Sequence, residues 1–134
     1  MILDAEGAVI DYLTTNMISI VGQGNDSVEI YRYTFPTEAK DTAISVFLEL
    51  PGNHSDVPEL MPVGTRIVTR SSKADISFYL MQNVDLLLDR MVRKAFNASV
   101  ECCLSRRNSG PGRFNGANAL IHFTSLYTMT LRSL

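Results

Sequence analysis

The chain has 134 residues, 46% of them apolar, with twelve Lys and Arg, fourteen Asp and Glu, and two cysteines. That length suits one domain, residues 1–134, large enough to bury a core without disulfide or metal staples. The aliphatic content and a net charge of −2 exclude a disordered chain, no apolar run reaches the ~20 residues of a membrane-spanning helix, and acids stand in "MILDAEGAVIDYL" where a signal peptide carries bases.

A first helix is predicted over residues 3–16, where Val9, Ile10, Leu13 and Met17 share a face and Asp4 and Glu6 sit in the first turn, favoured by the helix dipole. Gly7 weakens it. Three strand-like runs follow. "SVEIYRYTF" alternates until Pro36; "TAISVFLEL" puts Ile44, Val46, Leu48 and Leu50 on one face; "TRIVTR", residues 65–70, is short. Asn53 to Pro62, with two prolines and two acids, reads as a loop. The strongest signal lies between Lys73 and Phe96, where Ile76, Leu80, Val84, Leu87, Leu88, Met91 and Ala95 form the stripe of a long helix packed on a sheet. Ser72 and Asp75 resemble a capping box, and Asp89 and Arg93 an i,i+4 ion pair.

Two strands, 98–105 and 117–132, close the chain as an antiparallel hairpin, the second placing Ile121, Phe123, Tyr127, Met129 and Leu131 on one face. Between them "RRNSGPGRFNG", residues 106–116, reads as a basic, flexible tip from which Arg106, Arg107 and Arg113 project together, with Phe114 nearby as a stacking or packing group. The expected fold is α+β: a mostly antiparallel sheet with two helices on one face, in the order α-β-β-β-α-β-β. The last strand is long enough either to be central or to build an oligomer by sheet extension.

The charge is unevenly spread. Up to residue 65 the chain carries Arg32 and Lys40 against ten acids; from Arg66 onward it carries ten bases against Asp75, Asp85, Asp89 and Glu101. If the halves stay apart in space, the basic half can meet nucleic acid or the acidic half of another copy; if they interleave, the charges mix. Arg66, Arg70 and Arg93 from one half, and Asp56 and Glu59 from the other, are the candidate subunit contacts.

No catalytic constellation assembles from the sequence. His54 and His122 lack motif partners, and Asp85 and Asp89 share a helix face with Arg90, Arg93 and Lys94 as expected for solvated ion pairs. "NSGPGR" lacks the phosphate-loop pattern. Adjacent Cys102 and Cys103 read as one core and one surface thiol with no zinc spacing, and the triads at Asn25, Asn53 and Asn97 carry no meaning without secretion. The expectation is no enzyme, no metal and no cofactor.

The opening "AEGAVIDYL", the strand running into "RIVTRSSKADISFYLMQNVDLLLDRM", and the closing "GPGRFNGANALIHFTSLYT" together resemble the bacteriophage tail terminator family, also described as minor capsid or tail-completion proteins. The resemblance spans most of the chain in element order; the insert from Pro51 to Val63 departs from it. It implies a virion structural protein, made in the host cytoplasm, that forms a homo-hexameric ring on the head-proximal end of the tail tube. Such a ring ends tube polymerisation and joins the tail to the head–neck connector. The tail tube protein and the connector protein would be partners, with incidental DNA contact in the lumen and none with membrane. The rival expectation is a small nucleic-acid-binding module using the basic half; an enzyme or ligand-binding domain comes third.

Overall fold

The computed structural model describes residues 4–21, 28–50 and 60–134. Helix α1 (Ala5–Val21) is capped by Asp4, whose side chain accepts the Gly7 N–H at 3.0 Å. Strands β1 (Glu29–Arg32), β2 (Ala43–Leu50) and β3 (Leu60–Ser71) precede helix α2 (Ala74–Leu88); β4 (Met91–Ala95), β5 (Val100–Asn115) and β6 (Ile121–Ser133) follow it. The fold is α+β: one six-stranded, mostly antiparallel sheet in the order β1-β2-β3-β6-β5-β4 with both helices on one face. α1 lies over β1 and β2 and against α2, which lies over β3, β6 and β5.

The helix-side core follows strand alternation. Ile44 and Val46 of β2, Val63 and Ile67 of β3, and Tyr127, Met129 and Leu131 of β6 meet Val9, Leu13 and Met17 of α1 and Leu80, Met81, Val84 and Leu88 of α2. β3 and β6 pair continuously from Leu60↔Arg132 to Ser71↔Ile121, which keeps Ile121, Phe123, Tyr127, Met129 and Leu131 on one face, as expected.

Five expectations are corrected. The second helix stops at Leu88: Asp89 is extended, Arg90 takes a left-handed φ of 56°, and the chain re-enters the sheet as β4. Met91 and Phe96 are buried because they still face the core from β4 and its following turn, so the apolar spacing outlives the helix. Asp89 and Arg93 are therefore no helical pair. The helix start differs too, since Lys73 is the N-cap and the nearby hydroxyl that accepts its N–H belongs to Ser71.

β3 begins at Leu60, within the segment read as a loop; Pro62 is tolerated where the β2 ladder has already ended, at Gly64. Residues 106–115 are not a flexible tip but the outer half of β5, paired with β6 through register shifts near Arg107, Ser109 and Gly112. The hairpin turns instead through residues 116–120. Consistent with a mostly antiparallel sheet, one pair differs: β1 is parallel to β2. Tyr33 donates one more bond to Val46, adopts φ 69°, and residues 33–42 return across the helix-free face.

Candidate interaction surfaces

Three places bring polar and titratable groups together. The first joins α2 to the closing hairpin. Tyr127 is fully buried, and a buried phenol needs a partner. Its hydroxyl donates to Asp85 Oδ1 at 3.0 Å, Arg107 Nη1 donates to Asp85 Oδ2 at 3.0 Å, and the Arg107 backbone N–H reaches Asp89 Oδ1 at 2.8 Å. Burial, then the Asp85 carboxylate, drives the phenol pKa far above its ordinary value, so Tyr127 stays a proton donor at any physiological pH. Asp85 and Asp89 thus fasten a helix to a strand. Sequence reasoning missed this link; the one signal was a tyrosine amid the most apolar stretch of the chain.

The second place is on the helix-free face. Row neighbours Arg70, His122 and Phe114 lie side by side on β3, β6 and β5. The returning segment lays Phe35 over them. The Arg70 guanidinium sits 4.1 Å from the Phe35 centroid and donates to the carbonyls of Ala39 and Lys40, while Phe35 meets the His122 ring edge-on at 6.0 Å. Phe114 stacks on the other side of His122 at 4.6 Å. Burial, with the nearby Arg70 charge, holds the His122 pKa below its ordinary value against a backbone bond at Leu120. Arg70 is a tether of the crossover here.

The third place is the periphery. The strand order separates the two sequence halves: β1, β2 and β3 form one side of the sheet, and β6, β5 and β4 the other. The halves meet where β2 joins β3, as Arg66 pairs with Glu49 and Arg70 reaches the Ala39 and Lys40 carbonyls, but the outer strands keep their own sign. The β1 edge and the crossover that follows it, residues 4–6 and 29–41, carry Asp4, Glu6, Glu29, Glu38 and Asp41 against Arg32, Lys40 and the inserted Arg70 of β3. The opposite side, residues 89–107, carries Arg90, Arg93, Lys94, Arg106 and Arg107 against Asp89 and Glu101. Arg32 pairs with Asp4, Lys40 with Glu29, and Glu101 with Arg132. Arg90, Arg93, Lys94, Arg106 and Arg113 are exposed and make no ion pair among the described residues.

The candidate residues from the sequence therefore scatter. Arg106 and Arg107 point to opposite faces, opposite Thr128 and Tyr127 respectively, so they do not project together. Arg113 stands on the helix side opposite Phe123, and Phe114 on the other. Arg66 pairs with Glu49 and donates to Thr124 Oγ1 at 3.0 Å within the same molecule. Asp56, Glu59 and His54 lie outside the described residues. Cys102 is buried, with its thiol pushed up to about 12 by that burial, and Cys103 is partly exposed. Among the described residues no His, Cys, Asp and Glu group could hold a metal ion, and no helix is long and apolar enough to cross a membrane.

The helix-free face also carries apolar side chains toward solvent. Val92 and Leu104, neighbours on β4 and β5, are 62% and 49% exposed, and Phe114 is 45% exposed. No protein-family model matches the chain, and no curated protein matches it either.

Proposed function

We propose that the chain is a structural subunit of a phage-type virion, a tail terminator that forms a ring on the head-proximal end of the tail tube, ends tube growth and joins the tail to the head–neck connector. The observation that carries this reading is the one-sided sheet. Helices cover the centre of one face, while Val92, Leu104 and Phe114 stay exposed on the other, and apolar groups displayed on a rigid face mark a surface suited to protein. The α+β layout with its closing hairpin is also the one the resemblance implies.

The test adds the purified chain to polymerising tail tube protein of the same phage. Short tubes capped at one end by a ring support the reading; tubes that grow unchecked, with no ring by negative-stain imaging, overturn it. The rival reading, binding of nucleic acid, draws on the exposed bases of β4 and β5 that make no ion pair among the described residues. It requires binding of short duplexes by the single subunit with a steep salt dependence.

A further inference from the structure

We infer that neighbouring copies meet edge to edge: the basic β4–β5 edge of one, centred on Arg93, Lys94 and Arg106, against the acidic edge of the next, centred on Glu29 and Glu38. This rests on the ring reading above and names the surfaces that would close the ring.

The argument is one of distance and sign. Five strand spacings of about 4.8 Å place β1 roughly 24 Å from β4, across the whole sheet. The screening length at physiological salt is about 8 Å. The two edges of one molecule therefore cannot neutralise each other. The two edges carry opposite signs: five acids with three bases once Arg70 is counted on one, five bases with three acids once Asp85 is counted on the other. Lys94, Arg106 and Glu38 are exposed and make no ion pair among the described residues, so their attraction is directed outward. Contacts between two unlike patches are heterologous, and when the rotation between subunits closes they generate rings.

A polyanion would also be drawn to the basic edge. It leaves the acidic edge without a role, however, whereas a second copy uses both. Opposed patches additionally speed encounter and fix register, which a multi-subunit ring needs.

The experiment uses charge reversal on each edge of the full chain. One variant carries Lys94→Glu and Arg106→Glu, and so has two acidic edges; the other carries Glu29→Lys and Glu38→Lys, and has two basic edges. All four side chains are solvent-facing or half-exposed, so unchanged circular dichroism and thermal unfolding are expected. Each variant alone should self-associate at least tenfold more weakly than wild type by analytical ultracentrifugation. An equimolar mixture should regain closed rings, because the two variants can alternate, and those rings should contain an even number of subunits. The edge contact is overturned if either folded variant assembles alone as wild type does, or if the mixture fails to recover. In the first case wild-type rings still stand and only the edges are wrong; a wild type that stays monomeric beside its tube protein sinks the ring reading and the edge contact together.

Discussion

The two faces of the sheet are built from the same alternating strands but end differently. On the helix side Tyr127, Met129 and Leu131 are sealed beneath α1 and α2, and even the one phenol finds a carboxylate. On the other side, among the described residues, an aromatic and guanidinium row is covered by residues 33–42, and beyond it Val92 and Leu104 are open. The difference separates two tasks: one face specifies the fold, and the other is the face to which the proposed function assigns binding.

Substitutions should break this comparison in order of depth. Leu80→Ala, in the helix-side core, should cost about 2–5 kcal/mol in chemical denaturation. Asp85→Ala should cost about 1.5–3 kcal/mol, because it strands the buried Tyr127 hydroxyl and frees Arg107 together. Gly116→Ala tests the helix-free row: a Cβ there would lie 2.3 Å from His122 Cε1, and the ring is held between Phe35 and Phe114. Roughly 1–3 kcal/mol of overpacking is expected.

The same ring gives a pH signature. With its folded pKa below the ordinary 6.5, His122 binds its proton more readily in the unfolded chain. Its contribution to stability is complete above about pH 6.5 and is lost as pH falls from there toward the folded value. The melting temperature should drop between pH 7 and pH 5, and His122→Gln should flatten that slope. Asp4 and Glu49, whose pKa values are lowered chiefly by their bonds to Arg32 and Arg66, act in a separate and more acidic window. The smallest change in stability, within about 0.5 kcal/mol, is expected for Val92→Asp with Leu104→Asp. If that pair instead unfolds the chain, the helix-free face is part of the core and the division of tasks fails.

Periodicity in the sequence reached the fold class and the helix-side face of β6, because burial there follows a simple alternation. It failed where one pattern serves two structures. Met91 continues the helical stripe from Leu88 yet belongs to β4, and the left-handed turn between them is made by Arg90 rather than by a glycine that would announce it. "NSGPGR" has loop composition, but the neighbouring β6 ladder holds it extended at the cost of register shifts. The Asp85–Tyr127 link joins residues 42 positions apart, and only packing brings them together. The charge asymmetry was visible from the start; that it became two separate edges depended on β3 pairing with β6, which no local pattern encodes.

The irregular outer half of β5 has one more consequence. Among the described residues no strand lies beyond positions 108–115, and a straight rim there would invite stacking without limit. Its bulges, and Pro111 with no N–H to offer, deny a foreign strand a regular template. A rim of this kind disfavours open-ended strand stacking, so if copies do meet through unlike flanks, as proposed above, fibres are not the natural outcome.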